Sequence, residues 1–343
     1  MTVLAEALAA RTLELVDIPS ESHGEAEIER YVAAAMPREP AYASDSVLFY
    51  PPRSDGPFVL LVGHLDTVPA QGNLPGRIAA GAVHGLGASD MKGGVAVMVE
   101  LAGDPDLDAG FLFFGREELP SNESPLPAFF ATCPQALEAE LAVVLEPTDN
   151  TIQAGCLGNL NARLVFHGRS AHSARPWLGE NAIAAAVRGL APLIEIDPVD
   201  VKVDGLRFRE VLTVTTIHGG IATNVVPDRV EANLNFRYAP TRTAAEAEAR
   251  VRELAAEAEV LSNSPPARVV AAAPLVQRLR EAGGLAVEAK QAWTPVAEFT
   301  SRGVDAVNLG PGATRYAHTE DEQVETAELV RTYEALSRFL GTV

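Results

Sequence analysis

Apolar residues recur at helical spacing over positions 3 to 16 and stop before Pro19, which predicts an opening helix. Ser22 and Glu25 follow as an S-x-x-E pattern, which predicts a capped start for a second helix. The spacing then changes. FVLLVGH at 58–64, GFLFFG at 110–115 and LAVVLE at 141–146 are short, nearly continuous apolar runs of the kind that strands buried on both faces show. Between the first two, MKGGVAVMVELA at 91–102 returns to helical spacing. Strand, helix, strand in this order predicts an α/β unit, a mixed sheet flanked by helices.

The middle third is written differently. NLNARLVFHG, a helix from Asn181 to Ile194, VLTVTTIHGG, RVEANLNFRY and an Ala/Glu-rich helix near 243–258 predict a β-α-β-β-α unit of ferredoxin-like α+β type. LSNSPPARVV at 261–270 reads as a boundary, after which VDAVNLG and a helix from Ala327 resume the first style. The expected organisation is a catalytic domain in two parts, 1–158 and 269–343, with an inserted domain at 159–268. A length of 343 residues suits two such domains.

Composition narrows the function. Twenty-seven basic against forty-six acidic side chains give a formal charge of -19, so the global field repels phosphate backbones and anionic lipid. Neither nucleic acid nor a membrane is an expected partner. An anionic small substrate would instead need a local arginine cluster. The two cysteines, Cys133 and Cys156, form no C-x-x-C pattern and argue for no thiolate zinc site, and a reducing cytoplasm is the expected setting. The acidic, amphipathic start does not read as a signal peptide, and no stretch reaches the ~20 apolar residues of a membrane span.

The candidate chemistry sits where strands end. His64 and Asp66 in G-H-L-D lie two apart, so in extended backbone they share a face, suiting a metal-binding imidazole with a carboxylate on its other nitrogen. A Gly-rich loop, H-G-L-G-A-S-D, delivers Asp90 to a helix start, where a carboxylate could bridge two cations. The adjacent pair Glu117-Glu118 follows one strand and Glu146 another. Two neighbouring carboxylates repel unless cations or protons neutralise them. His318 follows the irregular loop Gly310-Pro311-Gly312. Each residue alone has an ordinary reading as a cap, a charged turn or a surface histidine, yet five such readings would have to coincide. No G-x-S-x-G elbow supports a serine nucleophile, and no phosphate-loop motif supports nucleotide binding.

These residues, in this order, resemble the zinc aminoacylase, carboxypeptidase and desuccinylase family of co-catalytic metallohydrolases, and the likeness runs from DIPS to TEDEQV. The resemblance implies two divalent cations, zinc with cobalt or manganese as alternatives. His64 and Glu146 would hold one, Glu118 and His318 the other, and Asp90 would bridge them. Glu117 would be the general base and Asp66 the partner of His64. Spacing alone leaves open which of the two adjacent glutamates is base and which is ligand. The resemblance further implies a cis Asp90–Met91 peptide and an inserted domain that acts as lid and dimerisation surface. His172 in that domain would then donate to the tetrahedral oxyanion in a neighbouring subunit's site. Asn224, Arg237, Arg175 and Thr294 would bind the substrate, the arginines as clamps on its carboxylates.

Within the family, A-G-C-L-G-N-L, S-A-R-P-W-L-G-E-N-A and A-V-N-L-G-P-G are similar to the actinobacterial succinyl-diaminopimelate desuccinylases, although Pro295 and Glu298 depart from that branch. The implied reaction is hydrolysis of the N-succinyl-LL-2,6-diaminopimelate amide. The alternatives are an N-acetylornithine or N-acyl-lysine deacylase with the same metal chemistry, or a non-catalytic relative. The presence of Glu117 and all five ligands disfavours the last.

Overall fold

A computed structural model of the chain describes residues 2–44, 46–54 and 56–343, and these fall into two compact units. The first comprises the chain up to Gly155 together with Val270–Glu288 and Pro295–Val343, and the second Cys156–Val269 with Ala289–Thr294. No helix of the described residues is long and apolar enough to cross a membrane.

The first unit is built on an eight-stranded mixed sheet. Its strands stand in the order Tyr42–Ser44, Val47–Tyr50, Gly110–Phe114, Val59–His64, Leu141–Val144, Asp305–Asn308, Ile152–Cys156 and Val287–Lys290. The four central strands, from Gly110–Phe114 to Asp305–Asn308, run parallel. Three of them are buried at every residue and Asp305–Asn308 at all but its first, because helices cover both faces of a parallel sheet. Their continuous apolar runs are the consequence in sequence. Parallel strands also present all their carboxyl ends at one edge. His64, Glu117-Glu118, Glu146 and the loop leading to His318 follow those four ends, so one edge collects them.

The opening helix spans Val3–Val16, and the Thr2 hydroxyl caps it by accepting the Ala5 N–H. The second spans Ala26–Ala35, but the expected capping box does not form. The Ser22 hydroxyl donates to Asp66, 2.7 Å away, and the Glu25 carboxylate accepts the backbone N–H groups of His23 and Arg116. Both residues are taken up by the strand ends behind the carboxylate pair. A smaller antiparallel sheet, Gln323–Glu325, Ala82–His84 and Arg77–Ala79, sets Gln323 opposite His84.

The second unit follows a β-α-β-β-α-β path: Gly158–His167, Ala182–Ile194, Leu206–Gly219, Arg229–Tyr238, Ala244–Leu254 and Glu259–Ser264. Its antiparallel sheet, with Val199–Val203 added at one edge, is ferredoxin-like in order. Alternation decides the faces. Leu160, Ala162, Leu164, Val230, Ala232, Leu234 and Phe236 pack under the two helices, while Asn159, Asn161, Asn233 and Asn235 hydrogen-bond to one another on the opposite face. The stretch expected to be a boundary at 261–270 begins inside the last strand. That edge strand is polar because its side chains serve as bonding partners: Asn263 accepts the Tyr238 hydroxyl at 2.6 Å, and Ser262 accepts from Asn161. The helix expected over 243–258 ends at Leu254, where the chain turns to reach this strand.

Candidate metal centre and active site

His64 is the last residue of a central strand and is buried, as is Asp66 beyond it. The imidazole Nε2 lies 3.0 Å from Asp90 Oδ1 and 4.0 Å from Glu146 Oε1. Its Nδ1 faces Asp66, 3.1 Å from the backbone carbonyl oxygen and 3.5 Å from Oδ1. Asp66 therefore holds the ring partly through its main chain. The Asp66 carboxylate is otherwise engaged, accepting the Ser22 hydroxyl and the backbone N–H groups of Glu117 at 3.0 Å and Glu118 at 3.2 Å. One aspartate thus fixes the first imidazole and the start of the glutamate pair together. Burial opposes its ionisation, but the bonds from His64, Ser22 and Glu117 outweigh that and hold its carboxyl below the usual range.

On the opposite side, His318 Nε2 lies 2.9 Å from Glu118 Oε1 and 3.7 Å from Asp90 Oδ2. Its backbone is in the left-handed region at φ 62°, and Gln71 holds it there by donating to its carbonyl oxygen at 2.9 Å. Asp90, between the two imidazoles, stands in an irregular turn before the helix Gly93–Ala102, and the Asp90–Met91 peptide is cis. Ligand atoms of His64, Asp90 and Glu118 all lie within 4.8 Å of one another. Glu146 joins through His64 and His318 through Glu118. The loop Gly310-Pro311-Gly312 has a packing reason: a Cβ at Gly310 would collide with the carbonyl oxygens of Leu145 and Glu146. A Cβ at Gly312, where φ is 81°, would meet the Ser89 hydroxyl.

The electrostatics follow from crowding carboxylates around two imidazoles. Burial would push the His64 imidazole down, but the bonds to Asp66 and Asp90 and the charges of Asp90 and Glu146 hold it well above its ordinary value. The bond to Glu118 raises His318 to about 9. Burial, reinforced by Glu146, Glu118 and Asp90 against the pull of His64, pushes the Glu117 carboxyl well above the carboxylate range. Protons and cations are alternatives in such a place. The donor set is nitrogen and oxygen only, and both cysteines are free elsewhere, so a closed, sulfur-rich structural site does not fit. An open set of two imidazoles and three carboxylates, with each Nε2 already turned toward a carboxylate oxygen, fits divalent cations.

His172, Arg175, Asn224 and Arg237, expected from the inserted domain, lie in the second unit, as does Thr294, which the expected bounds placed in the second part of the first domain. His172 sits on a two-residue strand paired with Val225–Val226, and the Asn224 carbonyl accepts the Ser173 N–H at 2.9 Å. Arg175 donates its N–H to the His172 carbonyl at 2.8 Å, so His172, Arg175 and Asn224 share one loop cluster. Arg237 and Thr294 both neighbour Cys156. The Arg237 guanidinium is half-buried and donates to Asn235 at 3.0 Å, and burial pulls its pKa down. Among the described residues no carboxylate stands within ion-pair distance of it. Among the described residues the buried Thr294 hydroxyl has no hydrogen-bond partner.

Sequence reasoning misses the layer behind these residues: Ser22, Glu25, Gln71 and Glu322. A buried Glu322 accepts the backbone N–H groups of Gly87, Ser89 and Asp90, and burial raises its carboxyl to about 7. The only trace of it in sequence is an acid in the run T-E-D-E.

A model of the peptidase family M20/M25/M40 matches residues 60–342. The chain belongs to that family. M20 relatives include a Mycobacterium tuberculosis protein named as a candidate succinyl-diaminopimelate desuccinylase, 38% identical over 342 residues and covering 96% of this chain and 97% of that one. A succinyl-diaminopimelate desuccinylase of Corynebacterium glutamicum is 34% identical over 350 residues, covering 96% and 95%. An M20 metallo-carboxypeptidase from Sulfolobus solfataricus superposes with a TM-score of 0.78 over 99% of each chain at 17% identity, a likeness of fold. Membership of M20 makes this chain a metal-dependent hydrolase.

Proposed function

We propose that this M20 hydrolase cleaves the amide of N-succinyl-LL-2,6-diaminopimelate into succinate and LL-diaminopimelate, using two divalent cations. The observation that carries the chemistry is the convergence of His64, Asp90 and Glu118 within 4.8 Å, with Glu146 and His318 beside them and a raised carboxyl at Glu117. The substrate reading is supported by the Arg237 guanidinium, which has no acid partner among the described residues, and by the relatives bearing that name.

His64 and Glu146 would hold one cation, Glu118 and His318 the other, and Asp90 would stand between them. When bound, the cations, probed first as zinc, polarise a scissile carbonyl and lower the pKa of water. The remaining work falls to side chains. Asp66 keeps the His64 ring oriented, with Nε2 free to face the centre. Glu117 accepts the proton of the attacking water as its oxygen bonds to the carbonyl carbon. It then delivers that proton to the nitrogen as the C–N bond breaks. Arg237, Asn224, Arg175 and Thr294 would bind the substrate's polar ends.

His172 would donate to the oxyanion from a neighbouring subunit, which requires a homodimer through the second unit. Solution mass and activity measured on the same sample test this: a dimer is expected, and a strictly monomeric, fully active protein excludes the role of His172 across subunits. Kinetics on N-succinyl-LL-diaminopimelate, N-acetylornithine and N-acyl-lysine test the substrate. The first is expected to lead in kcat/KM by ~10²-fold or more, because a guanidinium left without its carboxylate is penalised in the transition state. A lead for either of the others would make this a different deacylase of the same centre. The departure at Glu298, whose carboxylate is committed to Arg302 at 2.6 Å, is the observation favouring that second reading.

A further inference from the structure

Three acids follow His318 closely, Glu320, Asp321 and Glu322, and only Glu322 is buried. Both of its carboxylate oxygens accept from backbone. Oε1 accepts the N–H groups of Ser89 at 3.1 Å and Asp90 at 2.9 Å, and Oε2 accepts that of Gly87 at 2.9 Å. Its own carbonyl accepts the Gly85 N–H at 3.0 Å. Among the described residues no arginine or lysine pairs with it. Burial disfavours the ionised form of Glu322, and the charge of the buried Lys92 acts on it without an ion pair, so these three N–H groups are what compensates the carboxylate at close range. Bonds to an ionised acceptor are stronger and more directional than neutral ones, and three of them converging on one carboxylate leave the turn little freedom.

That turn carries Asp90. We propose that Glu322 is a positioning residue, clamping the Gly87–Asp90 backbone so that the Asp90 carboxylate is held between the two cation sites and in register with His318. The inference rests on the reading of Asp90 as a shared metal ligand given above. The segment from His318 to Glu322 then has a donor at one end and the clamp on the next donor at the other. The strand Gln323–Glu325, paired with Ala82–His84, seats it. A glutamine in the same place could accept from Ser89 and Asp90 but would turn an amide N–H₂ toward the Gly87 N–H, or the reverse. Either way one clamp bond becomes a donor facing a donor.

The test is the zinc affinity of metal-free Glu322→Gln, measured by competition with a chromophoric chelator, alongside Glu320→Gln and Asp90→Asn. Zinc binding by Glu322→Gln is expected to weaken 10–100-fold, about the loss usual when the outer partner of a ligand is removed. At limiting zinc its kcat should fall with KM unchanged, and added zinc should restore it, which a general packing defect would not allow. Glu320→Gln, altered at an exposed neighbour, should match the parent. Unchanged zinc affinity in Glu322→Gln, with affinity lost in Asp90→Asn, overturns the positioning role alone. Unchanged affinity in Asp90→Asn overturns the metal reading itself. Should Glu322→Gln fail to fold, Glu322→Asp, which keeps the charge one methylene short, is measured in the same way. Parental affinity there overturns the proposal.

Discussion

The Glu117→Gln protein is expected to keep its metal and to lose at least ~10²-fold in turnover, the low end of what a positioned acid–base group contributes. The substitution preserves shape and hydrogen-bonding capacity but removes the oxygen that must take the proton from water. The Glu117 backbone N–H is held by Asp66 whatever the side chain is, so the loop stays in place. The carboxyl itself is surrounded by Glu146, Glu118 and Asp90, which favour its protonated form. Cations bound among those carboxylates would offset that pressure, so that Glu117 could serve as a base once they are there. Metal analysis and kcat on one preparation decide the matter. A Glu117→Gln protein that comes out metal-depleted is instead a ligand mutant, and the roles of the two glutamates are then exchanged.

The adjacent change should do the opposite. Glu118→Gln is expected to release one of two metal equivalents, because Glu118 and His318 meet at 2.9 Å and on the proposed assignment the second cation would have only these and the shared Asp90. The loss of affinity should exceed the roughly 10–100-fold caused by removing an outer partner. Activity should fall with it and recover in part at high metal concentration, unlike that of Glu117→Gln. Direct metal counting on dialysed protein is the measurement. Two equivalents retained by a merely slow Glu118→Gln protein would remove it from the ligand set.

Strand ends make the candidate ligand residues legible in the amino-acid sequence. An apolar run that stops at His64, at Glu117-Glu118 or at Glu146 marks the place where a parallel strand leaves the core, and parallel strands share an edge. His318 is harder to read, because no strand ends on it directly and its left-handed backbone depends on Gln71, far away in sequence. The supporting layer is not legible at all. Ser22 and Glu25 have the spacing of a capping box, and local sequence cannot say that Asp66 and Arg116 compete for them from distant strands. Glu322 is indistinguishable from Glu320 and Asp321 until the small sheet buries one of the three. The last strand of the second unit passes for a boundary for a related reason. Its polar residues are partnered across the sheet, and partners separated by a hundred residues leave no periodic trace.

The parallel edge has a consequence for how the protein comes to be active during synthesis. His64, Asp90, Glu118 and Glu146 emerge before the second unit is made, but His318 and Glu322 lie after it in the chain. The strand Asp305–Asn308, which closes the parallel set against Leu141–Val144, is also late. A nascent chain therefore carries an acidic half-site that is crowded and incomplete until the segment after the second unit is made. Long-range closure of this kind is the slow part of folding. A chain truncated before His318 would lack one imidazole of the candidate centre together with Glu322, and is expected to be inert.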